Sequence, residues 1–279
     1  MKIPIVYFSS SGNTEYIAQL ISEGLKFANF ETELIPFNSL KEKNLDFNRI
    51  NVFGIGAPVY AMSFTPNIRD WVKKIPRVNR KIKFFLFDTN AGFPGPSIKN
   101  IRKTLELKNC KFIGAIEIVV PTRDSVFDTN LFKYVKWSRR SIERSFQFGI
   151  KLGKIIRMGK GTLDWSSTPL LFSRVIGAYF KLLERPFYNI FSRLFGFNSE
   201  KCIKCKTCEK ECPTKAINFQ EKPIINPNKC MFCFRCMRNC PTNALYFKLF
   251  PKAVYFKGPK NIRGYISPER LLEEYKKRV

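Results

Sequence analysis

Eight of the nine cysteines lie close together near the C-terminus, in two groups with identical spacing. Each group follows the pattern C-x2-C-x2-C-x3-C-P, and the second repeats the first 28 residues later. The two groups are Cys202, Cys205, Cys208 and Cys212, and Cys230, Cys233, Cys236 and Cys240. Thiols clustered at such regular intervals indicate metal or redox chemistry rather than a disulfide framework.

Four thiolates per group suit either an iron–sulfur cluster or a zinc ion. Zinc knuckles and ribbons use two C-x2-C pairs per ion, whereas each group here has a third regularly spaced cysteine and a closing Cys-Pro. The run resembles that of bacterial ferredoxins, in which the fourth cysteine ligates the other cluster. The predicted ligand sets for two [4Fe–4S] clusters are Cys202, Cys205, Cys208 and Cys240, and Cys230, Cys233, Cys236 and Cys212.

The second cysteine of each group is followed by Lys206 or Phe234, where many proteins of this class have glycine. This departure leaves the ligands intact. An ammonium group near a cluster favours its reduced form, so reduction potentials cannot be transferred from relatives.

A second candidate site is a serine-rich loop near the N-terminus, which contains no lysine or arginine. The loop follows a predicted strand and begins a predicted helix, so hydroxyl and backbone N–H groups meet at the positive end of a helix dipole. This context predicts an anion site without the lysine that a P-loop requires. Its residues are Ser9, Ser10, Ser11, Gly12, Asn13 and Thr14.

Two further loops are expected at the carboxyl ends of the third and fourth predicted strands. In an open parallel sheet of order 2-1-3-4-5, ligands bind at these ends near the switch point. Tyr60 can stack on an aromatic ring, and the small residues around it allow a close approach. The loop residues are Ala57, Pro58, Val59 and Tyr60, and Thr89, Asn90, Ala91 and Gly92.

The elements that must position these residues alternate between strands and helices. Short runs rich in Ile, Val and Phe predict strands at 3–8, 31–37, 50–56, 82–88 and 112–120. Helical stretches are predicted at 14–27, 65–74 and 96–107. This alternation predicts an α/β fold with a doubly wound parallel sheet. Further along, we predict a long helix at 130–158 that ends at Gly159, an amphipathic stretch at 170–197 broken at Pro186, and a short C-terminal helix capped by Ser267.

The N-terminal loops and strands together resemble the flavodoxin family, and the resemblance implies bound FMN. The whole chain is similar to the EFR-type ferredoxins, in which a flavodoxin-like domain precedes a small α+β 2[4Fe–4S] ferredoxin domain. The predicted divisions are a flavodoxin-like domain at 1–160, a helical aromatic-rich linker at 161–198, a ferredoxin domain at 199–249 and a tail at 250–279.

The chain carries a formal net charge of +27, which favours anionic partners such as an acidic redox protein. No nucleic-acid-binding signature accompanies this charge, so specific nucleic-acid binding is not expected. For the apolar, basic 168–197 segment, packing against a redox domain is favoured over contact with a membrane or a protein partner. The N-terminus lacks a secretory h-region, which together with the clustered cysteines predicts a cytoplasmic location.

These features predict an electron-transfer protein that connects two [4Fe–4S] clusters with FMN. The absence of histidine removes the most common general acid/base, and we assign no catalytic residue. Two alternatives remain open. One is a flavin-dependent reductase of a small substrate, fed by the clusters, and the other is an iron–sulfur protein whose flavodoxin-like domain has no flavin.

Overall fold

The structure is a computed structural model that describes residues 2–40, 45–121, 136–166, 171–249 and 258–278. Its strands are β1 (Lys2–Tyr7), β2 (Glu31–Pro36), β3 (Val52–Tyr60), β4 (Ser63–Phe64), β5 (Ile82–Asn90), β6 (Cys110–Val119), β7 (Leu163–Trp165), β8 (Phe195–Phe197), β9 (Ile217–Phe219), β10 (Pro223–Ile225) and β11 (Leu245–Phe247). Its helices are α1 (Asn13–Phe27), α2 (Pro66–Lys74), α3 (Ser97–Glu106), α4 (Arg139–Met158), α5 (Leu171–Ser192), α6 (Thr207–Lys210), α7 (Arg235–Arg238) and α8 (Pro268–Lys276).

The N-terminal half forms a parallel sheet with the strand order β2-β1-β3-β5-β6-β7. The five strands predicted from the apolar runs take the predicted order, so the flavodoxin-like fold class is confirmed. The short β4 pairs antiparallel with the end of β3. The apolar content of β3 and β5 follows from their central position, where both faces are covered.

Helices cover both faces of the sheet. On one face α1 packs closely against α4 where Gly24 meets Gly149. The approach requires glycine, since a Cβ atom on Gly24 would lie 2.1 Å from the Phe146 carbonyl oxygen. The helix α8 also lies against α1, where the Tyr16 hydroxyl donates to the Ile266 carbonyl at 2.5 Å. The other face carries α2 and α3, whose apolar side chains join the core of β3 and β5.

The cysteine-rich region repeats its elements as it repeats its sequence. Each cysteine group contains a four-residue helix, α6 or α7, and is followed by a short strand, β9 or β11. Strand β9 pairs antiparallel with β10, and β11 pairs antiparallel with β8, which precedes the first group. One apolar cluster includes α2 and α3 residues, Tyr188 of α5, and Phe232 and Phe234 beside the cysteines.

Three observations differ from the sequence-based predictions. Strand β7 lies in the predicted linker, where it pairs in parallel with β6 at the sheet edge. Helix α5 continues through Pro186, although a break was expected there. Helix α4 begins at Arg139, and the predicted helical residues 130–135 lie outside the described residues. The predicted end at Gly159 is confirmed, since this glycine has a left-handed φ of 73°.

The short C-terminal helix is also confirmed, with Pro268 at its first position. The Ser267 hydroxyl caps it by accepting the Arg270 N–H at 3.2 Å. In the described part of the chain, no helix has the length and apolar character needed to cross a membrane.

Candidate functional site

The eight clustered cysteines line two separate cavities. Each cavity takes three cysteines from one group and the fourth from the other group. The two sets are Cys202, Cys205, Cys208 and Cys240, and Cys230, Cys233, Cys236 and Cys212. The structure therefore brings together the same crossed sets that the spacing predicts, and which sulfur ligates which iron stays a prediction.

The backbone around the cysteines turns its N–H groups toward the sulfur atoms. Lys206 and Phe234 have left-handed φ values of 57° and 56°, a conformation that favours glycine, which is the residue that the resemblance to bacterial ferredoxins leads us to expect there. The N–H of Ala216 donates to Cys212 Sγ and the N–H of Ala244 donates to Cys240 Sγ, both at 3.2 Å. Such N–H donors stabilise the thiolate charge, so this arrangement fits an iron–sulfur cluster.

Burial raises the pKa of thiols in both sets, and nearby N–H groups counteract it at one cysteine. In the second set, burial raises the pKa of Cys233 to about 11 and raises the pKa of Cys236 well above its ordinary value. In the first set, burial likewise raises the pKa of Cys208 to about 11, whereas at Cys240 donation by the Ala244 and Leu245 N–H groups outweighs burial and lowers the pKa. Because only thiolates ligate metal, both sets depend on the positive charge of what they bind.

The serine-rich loop wraps around the N-terminus of α1. Gly12 precedes the helix with a left-handed φ of 88°, which a residue with a side chain rarely adopts. Ser9, Ser10, Asn13 and Thr14 are buried. The Ser9 hydroxyl is buried without a hydrogen-bond partner among the described residues, which fits a polar ligand at this loop.

The predicted FMN-binding segments meet at the carboxyl edge of the sheet. The Ser10 and Tyr60 hydroxyls lie 2.6 Å apart, and the Thr14 and Thr89 hydroxyls lie 2.7 Å apart. Residues 57–60 and 89–90 belong to the ends of β3 and β5 rather than to loops, which corrects the prediction. Only 91–92 leave the strand, and the Gly92 N–H donates to the Asn90 side chain at 2.8 Å.

Asp88 is a buried carboxyl group beneath the third segment, and the sequence analysis did not identify it. It accepts hydrogen bonds from Ser97 Oγ at 2.6 Å and from Asn90 Nδ2 at 2.8 Å. Burial raises its pKa to about 8, and Glu117 adds to this effect. Asp88 thereby fixes the Asn90 side chain that holds the 89–92 segment.

Arg235 is a second residue that the sequence analysis missed. It lies in α7, between the second and third cysteines of its group. Its guanidinium donates to the Ser9 carbonyl oxygen at 2.6 Å and to Glu211 Oε2 at 2.5 Å and 3.1 Å. One side chain thus connects the serine-rich loop with residues next to Cys212 and Cys236.

Comparisons with known proteins match two parts of the chain to two families. Residues 4–117 match the family described as a flavodoxin domain, and residues 201–244 match the family described as a 4Fe–4S dicluster domain. A curated flavodoxin from Clostridium saccharobutylicum is 31% identical over 80 residues, which are 28% of this chain and 49% of that protein. The chain therefore spans about half the length of this relative.

Several solved flavodoxin structures are similar to the N-terminal half at low sequence identity. An archaeal flavodoxin is 16% identical with a TM-score of 0.41, over 56% of this chain and 99% of the other. Flavodoxin 1 from Bacillus cereus is 15% identical with a TM-score of 0.43, over 55% of this chain and 98% of the other.

The part that matches a flavodoxin domain and the part that matches a 4Fe–4S dicluster domain together cover more than half of this chain, in the order of a flavodoxin–ferredoxin fusion. The two domains support FMN and iron–sulfur clusters as its cofactors, and the buried hydroxyl and the thiol cavities described above fit them. Both domain types carry redox groups, so their combination supports a role in electron transfer.

Proposed function

We propose that this protein transfers electrons between two [4Fe–4S] clusters and an FMN, and onward to a separate redox partner. The order of the two matched domains in the chain supports its assignment to the EFR-type ferredoxins, which are fusions of a flavodoxin-like and a ferredoxin domain. The clusters would exchange single electrons, and FMN would accept or donate one or two.

The observation that carries the proposal is the contact made by Arg235. A conduit within one chain requires the two cofactor domains to be in direct contact, and Arg235 bridges them through the Ser9 carbonyl and the Glu211 carboxylate. The contact involves the second cysteine set, because Arg235 and Glu211 are the chain neighbours of Cys236 and Cys212. This supports a route in which the second set is the one nearer to the flavin.

The protein's own residues would contribute binding, orientation and charge. The Ser9–Thr14 loop would hold the FMN phosphate through hydroxyl and N–H donors at the start of α1. Tyr60 and the 89–92 segment would flank the flavin ring. The hydrogen bonds of the Asn90 side chain to Asp88 and to the Gly92 N–H would hold this segment in place. The Ala216 and Ala244 N–H groups would stabilise thiolate ligands on the two cluster sets.

The proposed redox partner is acidic. The sequence carries 49 Lys and Arg residues against 22 Asp and Glu residues, which yields the +27 formal charge. Such an excess accelerates the encounter with negatively charged proteins at low ionic strength.

A flavin-dependent reductase of a small substrate is the second candidate. The reductase would use the same cofactors as the electron-transfer protein. It would differ in reducing a small organic acceptor directly, without a protein partner. Steady-state turnover of candidate acceptors, measured with and without an acidic carrier protein, distinguishes the two.

The cofactor content of the purified protein tests whether the proposed clusters and FMN are present. Protein purified and reconstituted without oxygen is expected to contain about eight iron, eight sulfide and one FMN per chain. Bound zinc without sulfide would contradict the iron–sulfur sites. Full iron and sulfide without flavin would instead support the iron–sulfur protein whose N-terminal domain has lost its cofactor.

A further inference from the structure

A cleft of about 600 Å³ separates part of the flavodoxin domain from the cysteine-rich domain. One wall consists of the turn after β2 and the outer face of α2, and the opposite wall consists of α6 and the residues that follow it. This volume falls within the range of roughly 300–1,000 Å³ that is usual for small-molecule sites. None of the described residues that line it belongs to the predicted FMN-binding segments.

The apolar part of the cleft includes two aromatic rings. Phe37 and Trp71 lie edge to face, with their ring centres 6.5 Å apart. Leu40 and Ile217 extend the apolar surface on either side. A wall of this kind accommodates a planar ring, because flat apolar and aromatic groups pack on one another.

A buried carboxamide lies among these apolar residues. Asn67, in the first turn of α2, is 8% exposed, and neither its Nδ2 nor its Oδ1 has a hydrogen-bond partner among the described residues. Buried polar side chains without partners are rare and costly, so a group that pairs with this amide is expected. An amide presents a donor beside an acceptor, which matches the edge of a nucleobase.

The rim of the cleft is basic. Lys74, Lys210 and Lys215 line it with exposed side chains, and none of them forms an ion pair with a residue that the structure describes. Three exposed lysines around one cleft favour an anionic group such as a phosphate.

Two acidic residues also line the cleft, fewer than its three lysines, and both carboxylates make contacts with other residues. Asp70 lies 3.4 Å from Lys73 and 4.0 Å from Arg185. The Glu209 carboxylate accepts the Phe219 backbone N–H at 3.0 Å.

We propose that this cleft is a nucleotide-binding site, separate from the FMN site. The heterocycle would pack against Trp71 and Phe37 with its polar edge toward Asn67, and the lysines would hold the phosphate. Cys212 also lines the cleft, so the bound nucleotide would lie beside a residue of the second cysteine set.

Calorimetric titration of the cofactor-loaded protein without oxygen tests this site. The probes are AMP, adenosine and inorganic phosphate, which separate the contribution of the ring from that of the charge. AMP is expected to bind at one site per chain, at least about tenfold more tightly than either of the others. Asn67→Ala should weaken AMP at least about tenfold, and Lys74→Ala should weaken it and reduce its salt dependence. Asn100→Ala, an exposed change on α3, is the matched control and should leave AMP affinity unchanged.

Flavin and iron contents are measured on every variant, so a folding defect or a failure of the proposed cofactors is recognised separately. The proposal is overturned if AMP does not bind, or if neither Asn67→Ala nor Lys74→Ala changes its affinity. Release of FMN on addition of AMP would also overturn it, because AMP would then occupy the flavin site.

Discussion

The contact between the two domains predicts a measurable effect of replacing Arg235 with alanine. The hydrogen bond from the guanidinium to the Ser9 carbonyl oxygen, 2.6 Å long, involves a charged donor and contributes about 1.5–3 kcal/mol. The ion pair with Glu211 is partly exposed, at 24% and 37% for the two side chains, and adds only about 0–1 kcal/mol. A total near 2 kcal/mol corresponds to about a 30-fold change in a local opening equilibrium.

Hydrogen exchange followed by mass spectrometry measures this opening directly. In Arg235→Ala, the backbone amides of the Ser9–Thr14 loop and of α7 are expected to exchange about 30-fold faster than in the wild type. Arg235→Lys should recover part of the protection, because lysine keeps the charge but lacks the planar fork.

Arg270→Ala is the control for this experiment. Arg270 forms an exposed ion pair with Glu274 at 3.4 Å on α8, so its loss should leave exchange in the Ser9–Thr14 loop within about twofold of the wild type. Unchanged protection in Arg235→Ala would refute the domain contact. Equal acceleration in the control would show that the effect is a general loss of stability.

Three further predictions concern the cofactor sites. Cys240→Ala should damage the cluster predicted at Cys202, Cys205 and Cys208 more than the other, as seen in the EPR spectra of the reduced protein, and loss confined to the second cluster would contradict the crossed ligation. Thr14→Ala should weaken FMN retention about tenfold, because it removes a buried hydroxyl from the anion loop, and an unchanged FMN dissociation constant would count against that role. The raised pKa of Asp88, about 8, means that the folded state holds a proton that the unfolded state releases, so stability should fall as pH rises toward 8. Asp88→Asn should flatten the melting temperature between about pH 5 and pH 8, and a profile as steep as that of the wild type would show that Asp88 is ionised in the fold.

Much of the fold could be predicted because the central strands are apolar along most of their length. Buried β3 and β5 produce continuous hydrophobic runs, which indicate a sheet covered on both faces. Strand β7 has only three residues, including Asp164, so its sequence carries no such pattern. Its pairing with β6 depends on where α4 returns the chain to the sheet edge.

Helix α5 shows how tertiary contacts can override a local signal. Proline inside a helix removes one hydrogen bond and crowds the preceding turn, at a cost of about 3 kcal/mol or more, which is why a break at Pro186 was expected. Two residues one step further from the proline, Glu184 and Tyr188, are buried: Glu184 is paired with Arg69 at 2.5 Å, and the Tyr188 hydroxyl donates to Glu184. These contacts hold the helix on α2 through the proline.

The residues of the candidate site also fall into those that the sequence predicts and those that only the folded structure reveals. Cysteine spacing is a local property, so both cysteine sets could be predicted from the repeat, and the structure groups them in the same crossed manner. Arg235 and Asp88 carry no local signal, because one acts across a domain boundary and the other through burial. Only the folded chain brings Arg235 to the Ser9 carbonyl.

Electron redistribution within single molecules tests the proposed function most directly. The cofactor-loaded protein would receive less than one electron per chain from a rapid radiolytic pulse, while flavin and cluster absorbance are followed at several protein concentrations. The proposed conduit predicts a first-order exchange between clusters and flavin whose rate constant does not depend on protein concentration. A rate constant that rises in proportion to concentration, or no exchange at all, would contradict it.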